Sequence, residues 1–111
     1  MKAIPTIPHW RCSLRKSRIW SQTMKFEWDK RKAASNAAKH AVRFEDAKPV
    51  FEDPKALEFY QVVDGEERWV TIGNNGLQVL VVVYAEPAPG TIRIISAREA
   101  TKDEKKHYRQ R

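Results

Sequence analysis

The chain has 111 residues and a mass of 12.9 kDa, a length that favours one compact domain with a small core. Hydrophobic residues make up 41% and charged residues 32%, which is typical of a globular protein and excludes a disordered one. No apolar run approaches the roughly 18–20 residues that a membrane-spanning helix requires. Cys12 is the single cysteine, so an internal disulfide and a cysteine-based zinc site are excluded.

The positive charge is concentrated at the start of the chain. The net charge is +7, and residues 1–23 contribute +5 of it because they contain no acidic residue. Pro5 and Pro8 interrupt any early helix, and the apolar residues are too scattered for a secretory signal. An organellar transit peptide and an upstream extension of a protein that starts at Met24 stay open as alternatives. We predict a flexible basic extension over residues 1–23 and a folded domain over residues 24–111.

The domain begins with a predicted strand and two predicted helices. Polar and apolar residues alternate over Lys25–Trp28, which predicts a short strand. Asp29 stands at a helix N-cap position, and the alanine-rich sequence after it predicts a helix through about His40. A second helix is predicted over Phe44–Glu52, kinked or starting late because Pro49 is unfavourable inside a helix.

The second half of the domain is predicted to form four antiparallel strands and a final helix. The predicted strands are Ala56–Val62, Glu67–Ile72, Leu77–Tyr84 and Thr91–Ala97. The apolar run Val79–Val83 predicts a central strand that is covered on both faces. The spacing of Thr101 and Glu104 fits a capping box at the start of the final helix. This order predicts an α+β fold, with an antiparallel sheet packed against the helices.

The first helix carries a polar face that is a candidate site. Its members fall within a sector of about 100° on the helix; they are Asp29, Lys32, Asn36, Lys39 and His40. The opposite side carries small residues that suit close packing: Ala34, Ala37, Ala38 and Ala41. The polar face is open to two interpretations. It is either a solvated surface or a surface that faces a polyanion, with a histidine able to exchange protons near neutral pH.

The end of the chain forms a second basic group. Its basic residues are Arg93, Arg98, Lys102, Lys105, Lys106, Arg109 and Arg111, opposed by Glu99, Asp103 and Glu104. Guanidinium groups suit bidentate phosphate contacts, and Tyr108 can stack on a base. The alternative is that the lysines complement the dipole of the final helix. The sequence contains no glycine-rich phosphate loop, nucleophile elbow or HExxH motif, and it predicts no metal site and no cofactor.

Taken in order, these motifs resemble the BrnT family of toxins from bacterial type II toxin–antitoxin systems. The resemblance covers residues 24–111 and rests on Phe26-Glu27-Trp28-Asp29, Lys32, Asn36, Lys39-His40, Phe44-Glu45-Asp46-Ala47, Val50-Phe51, Glu67-Arg68, Ile72-Gly73, Ile92-Arg93-Ile94-Ile95-Ser96-Ala97-Arg98, Ala100-Thr101, Glu104 and Tyr108. Three positions depart from the family pattern. Ala41 replaces a glycine after Lys-His, Arg43 replaces a small capping residue, and Pro49 is the third.

The resemblance implies a RelE-like fold and a cytoplasmic endoribonuclease that needs neither metal nor cofactor. It also implies a BrnA-like antitoxin with a ribbon-helix-helix DNA-binding part as partner. The toxin–antitoxin complex of such systems, in which a dimer is one option, contacts promoter DNA through the antitoxin. Two other function classes stay open: an inactive module that acts as a co-repressor with the antitoxin, and a basic domain that binds nucleic acid without cleaving it.

RNA cleavage of this kind needs a base for the 2′-hydroxyl proton, an acid for the leaving 5′-oxygen and cations for the charged phosphorane. Under the resemblance, the catalytic candidates are His40 as acid or base, Lys39 beside it, Arg93 and Arg98 on the phosphate, and Tyr108 for stacking or proton transfer. The RNA-binding candidates are Lys32, Asn36, Lys102 and Lys105.

Overall fold

The structure, a computed structural model, describes residues 11–12 and 25–110. The strands are β1 (Arg11–Cys12), β2 (Lys25–Glu27), β3 (Leu57–Val63), β4 (Glu66–Asn74), β5 (Val79–Ala88) and β6 (Thr91–Glu99). The helices are α1 (Lys30–His40), α2 (Phe44–Ala47), a 3-10 helix over Lys48–Glu52, and α3 (Lys102–Gln110). Among these residues, no helix combines the length and the apolar character needed to cross a membrane.

The strands form one sheet in the order β1-β3-β4-β5-β6-β2. Strands β3 to β6 are successive antiparallel neighbours, as predicted, whereas β2 pairs in parallel with β6. β1 pairs with the outer edge of β3, so two residues of the N-terminal segment belong to the sheet. The other residues of that segment lie outside the described residues, and its predicted flexibility stays a prediction.

The boundaries of β5 differ from those predicted, for two physical reasons. The strand starts at Val79 because Leu77 lies in the turn before it, with 92% of its surface exposed. It continues through Pro87 to Ala88, past a register irregularity between Ala85 and Ala88. A strand tolerates a proline where its pairing is irregular, because proline cannot donate a ladder hydrogen bond.

Apolar residues are buried on both faces of the sheet. The cluster under α1 and α2 consists of Val42, Phe44, Ala47, Val50, Phe51, Leu80, Val82, Tyr84, Ile92, Ile94 and Ala97. The cluster on the opposite surface, here called the α3 face, consists of Leu57, Val70, Ile72, Val79, Val81 and Ala100, with Tyr108 of α3 packed against it. Because β5 contributes to both clusters, the prediction of a central strand covered on both faces is confirmed.

The segment between α1 and β3 changes helix type next to Pro49. α2 ends at Ala47, and the 3-10 helix that follows carries Pro49 in its first turn, where the missing N–H is tolerated. The predicted interruption of this helix is therefore confirmed. Arg43 precedes α2 and makes no side-chain capping hydrogen bond, as its departure from the family pattern implies.

Helix α1 begins where the sequence predicts but packs through a different face. Asp29 Oδ1 accepts hydrogen bonds of 2.8 and 3.1 Å from two backbone N–H groups of the first turn, so the predicted N-cap is confirmed. The prediction that the alanine face packs closely is wrong, because Ala34 and Ala38 are exposed. Asn36 is the buried residue of α1. Part of the predicted polar face therefore packs against the sheet.

Ala41 ends α1 in the left-handed conformation, with φ 58° and ψ 28°, and its N–H donates to Ala37 O at 2.9 Å. A Cβ is disfavoured in this region, whereas glycine adopts it freely. Ala41→Gly is therefore expected to raise the free energy of unfolding by about 1 kcal/mol. Ala38→Gly, inside the same helix, is the matched control and is expected to lower it by about 1 kcal/mol. Urea unfolding measures both, and equal losses in the two variants would contradict this account of the cap.

Candidate active site

Arg93 of β6 projects from the α3 face of the sheet. It lies between the buried Ile92 and Ile94, so the alternation of a strand turns it away from the larger core cluster. Its Nε and Nη2 both contact Oε2 of Glu27 at 2.7 Å. The two side chains are 55% and 43% exposed, and an ion pair at such a surface contributes little to stability. Arg93 is thus accessible to an anionic ligand.

Arg98, further along β6, is held by helix α3. Its Nη1 and Nη2 donate to Oε1 and Oε2 of Glu104 at 2.7 and 2.8 Å, a bidentate arrangement. The Thr101 N–H donates to the same carboxylate at 2.8 Å, while Thr101 Oγ1 accepts from the Glu104 N–H at 3.2 Å. This reciprocal pattern is the predicted capping box, which is confirmed.

The Arg98–Glu104 pair stays ionised at neutral pH. Burial alone raises the pKa of the Glu104 carboxyl, but the hydrogen bonds from Arg98 and Thr101, together with the charge of Arg98, lower its pKa below the ordinary value near 4.5. The hydrogen bond to Glu104 raises the pKa of Arg98. The guanidinium is therefore committed to Glu104, and an RNA phosphate would have to displace a carboxylate that is only 2% exposed.

Tyr108 joins α3 to the segment before β3. Its hydroxyl donates to Asp53 Oδ2 at 2.6 Å, and the same carboxylate accepts the backbone N–H groups of Asn74 at 2.8 Å and Lys55 at 2.9 Å. The ring packs against the apolar cluster of the α3 face. These contacts anchor the helix to the segment before β3 and to the end of β4, so both the ring and the hydroxyl have a structural role.

Helix α1 presents the unpaired candidates. Lys32, Lys39 and His40 are exposed, and within the described part of the chain their side chains form no hydrogen bond or ion pair. Lys39 and His40 occupy the last turn of the helix. An imidazole and an ammonium group in this position are free to meet a ligand from solvent.

Asn36 connects this helix to β6. β2 pairs with β6 only as far as Arg93. Beyond Arg93, the side chain of Asn36 forms hydrogen bonds with the same edge of β6. Its Nδ2 donates to Ala97 O at 2.7 Å and to Val42 O at 3.0 Å, and its Oδ1 accepts from Ala97 N at 3.0 Å. Only 6% of the surface of Asn36 is exposed, so its side chain does not reach a ligand in solvent. We therefore assign Asn36 a structural role instead of the expected RNA contact.

Replacing Asn36 with alanine is expected to lower the free energy of unfolding by about 2 kcal/mol, because it leaves a buried N–H and two carbonyl groups without partners. Ser35→Ala, one residue away on the exposed side of the helix, is the control and is expected to change stability by less than about 0.5 kcal/mol. Thermal and urea unfolding provide the measurement. Similar stability of the two variants would contradict the role given to the amide.

The candidates thus form two groups, one on each side of the β6 edge that β2 and Asn36 cover. Lys39 and His40 belong to α1, and Arg93 and Arg98 belong to β6, with Asn36 fixing one element to the other. Two further candidates lie on α3: Lys102 is exposed, and Lys105 Nζ contacts Glu99 Oε2 at 3.0 Å. Over residues 25–110, no three or more His, Cys, Asp or Glu side chains are grouped to hold a metal ion.

Comparisons with known proteins identify the class. The sequence model of a family described as "Ribonuclease toxin, BrnT, of type II toxin-antitoxin system" matches residues 28–104. The crystal structure of the ribonuclease toxin BrnT from Brucella abortus is similar, with 30% sequence identity and a TM-score of 0.58, over 71% of this chain and 99% of that one. A search of curated protein sequences finds no match.

These matches place the chain among the ribonuclease toxins of type II toxin–antitoxin systems. Within that class, it belongs to the BrnT family. The expected α+β architecture, with helices before the antiparallel strands and one helix after them, is confirmed by the same similarity. The matched region begins at Trp28.

Proposed function

We propose that this protein is an endoribonuclease that cleaves RNA without a metal ion, through attack of a 2′-hydroxyl on the adjacent phosphate. The observation that carries the proposal is the exposed Lys39-His40 pair, which Asn36 holds beside the strand that bears Arg93. Acid–base and cationic groups then lie on neighbouring elements, and cleavage requires both to reach the same phosphate.

In this scheme, His40 transfers protons to and from the reacting oxygens, and Lys39 beside it stabilises negative charge. Arg93 contacts the phosphate after exchanging its exposed partner Glu27 for the RNA. Lys32, Lys102 and Lys105 attract the RNA backbone over a wider surface. The resemblance makes Arg98 and Tyr108 catalytic candidates, but their polar groups are engaged by Glu104 and Asp53. We therefore assign these two residues to positioning α3.

The partner proposed for this toxin is a BrnA-like antitoxin with a ribbon-helix-helix DNA-binding part. The antitoxin would neutralise the cationic surface, and the complex would reach promoter DNA through the antitoxin. The RNA substrate places the action of the toxin in the cytoplasm. Co-expression of the toxin with the product of a neighbouring reading frame tests this pairing directly.

The test of the enzymatic proposal uses the purified full-length protein and total bacterial RNA, with and without EDTA. We expect cleavage in both conditions, with products that end in 2′,3′-cyclic phosphate. Cleavage that EDTA abolishes would contradict the metal-independent scheme. Binding to RNA without any cleavage would favour the alternative function of a basic domain that binds nucleic acid without cleaving it.

A further inference from the structure

Arg68 of β4 shares the α3 face with Arg93 and Arg98. Within β4, Arg68 lies two residues before Val70, so the alternation of a strand places both on one side of the sheet. Val70 pairs with Val83 of β5 and belongs to the cluster of that face. Tyr108 of α3 is linked through Asp53 to Asn74, at the other end of β4, so Arg68 lies away from the part of the face that α3 covers.

The register places Arg68 beside a small residue and then Arg93. Trp69 pairs with Tyr84, so the next step of the same ladder sets Arg68 next to Ala85. Ala85 pairs with Arg93 in β6. The two arginines are therefore two strand spacings apart, about 10 Å between their backbones. Because the side chain of Ala85 is a methyl group, no long side chain of β5 stands between the two guanidinium groups at this level of the sheet.

The hydrogen bonding of Arg68 is incomplete. Its Nη2 donates to Glu66 Oε1 at 2.8 Å, but its Nε is buried and has no acceptor among the described residues. The side chain is 28% exposed, whereas that of Glu66 is 66% exposed. A buried guanidinium N–H without an acceptor costs free energy. A phosphate can replace the exposed Glu66 carboxylate at Nη2, and it also satisfies Nε when the side chain rotates to expose that atom.

We propose that Arg68 binds a phosphate of the RNA substrate, so that one RNA strand crosses the α3 face from Arg93 on β6 to Arg68 on β4. The inference rests on the proposed ribonuclease function and adds a substrate contact outside the reacting centre. Both arginines are paired with exposed carboxylates, Glu27 and Glu66. Such pairs neutralise the face in the free protein and open when a polyanion arrives.

The test measures binding of the full-length protein to a short single-stranded RNA with methylated 2′-hydroxyls, which blocks the proposed cleavage. For Arg68→Ala, we expect a Kd about tenfold higher, and a slope of log Kd against log salt smaller by about 0.7, the value for one lost phosphate contact on a single strand. The control is Arg43→Ala, which removes the same charge from the loop before α2 and is expected to leave both quantities unchanged.

A second pair of variants leaves Arg68 in place and so avoids any effect of the Arg68→Ala substitution on folding. Glu66→Gln removes the charge that pairs with Arg68 and is expected to lower the Kd about threefold, because one exposed carboxylate is removed from the path of the RNA. Glu45→Gln removes the same charge beside Arg43 and is the control. The proposal is overturned if the two glutamine variants have equal effects, or if the Arg68→Ala protein folds and binds RNA like wild type. In either case, cleavage of RNA by the wild-type protein leaves the ribonuclease function intact. A wild-type protein that neither binds nor cleaves RNA overturns both.

Discussion

Replacing His40 with alanine is expected to lower kcat for RNA cleavage by about 100-fold or more, the usual contribution of a general acid or base. His40 is exposed and outside the core, so the variant should fold and unfold like wild type. Single-turnover cleavage of a labelled RNA measures the chemical step, and binding of the methylated RNA measures affinity. We expect the loss to appear in the cleavage rate and not in the Kd.

His107 provides the matched control for this experiment. It is also an exposed histidine, but it lies on α3 and is not among the residues that carry the family resemblance. His107→Ala is expected to cleave RNA at the wild-type rate. Full activity of the His40→Ala protein, or equal losses in the two variants, would remove His40 from the proposed mechanism.

Replacing Glu104 with alanine is expected to lower the free energy of unfolding by about 3 kcal/mol, which corresponds to a drop in Tm of roughly 15 °C for a domain of this size. The substitution removes a buried carboxylate, its bidentate hydrogen bonds to Arg98 and half of the capping box. The figure is at the lower end of the range for buried pairs because the Arg98 side chain is 35% exposed and regains water.

The same pair makes a specific contribution to the pH dependence of stability. The pKa of Glu104 is lowered in the folded protein, so its contribution is present above the ordinary value near 4.5 and is lost as the pH falls through the folded pKa. The stability difference between wild type and Glu104→Ala should therefore shrink below about pH 4.5. Glu99→Gln, at the exposed Lys105 contact, is the control and is expected to cost less than about 1 kcal/mol.

Features that depend on neighbouring residues were predictable from the sequence. The N-cap at Asp29 and the capping box of Thr101 and Glu104 each involve residues within three positions, so their sequence spacing carries the geometry. The strained cap at Ala41 followed from a missing glycine. The apolar run of β5 likewise predicted its place at the centre of the sheet, because burial on both faces leaves no polar positions.

The candidate site was less predictable because its contacts depend on how separate elements pack in the folded chain. On a helical projection, Asn36 falls in the same sector as exposed lysines, and its burial depends on Ala97, 61 residues away. Arg98 has the residue type of a phosphate ligand, and only the folded position of α3 shows that Glu104 already binds it. The missing acceptor of Arg68 is likewise a property of the sheet and has no signature in the sequence.

The long-range contacts around β6 have a consequence for synthesis of the protein on the ribosome. β2 finds its parallel partner only in β6, and Glu27 meets Arg93 across 66 residues of sequence. Contacts of such high sequence separation form late in folding. Helix α1 can likewise dock only after Ala97 has left the exit tunnel. A nascent chain therefore lacks the proposed catalytic surface until β6 has been made and has left the exit tunnel, so under the proposed function an unfinished copy does not cleave RNA beside the ribosome that makes it.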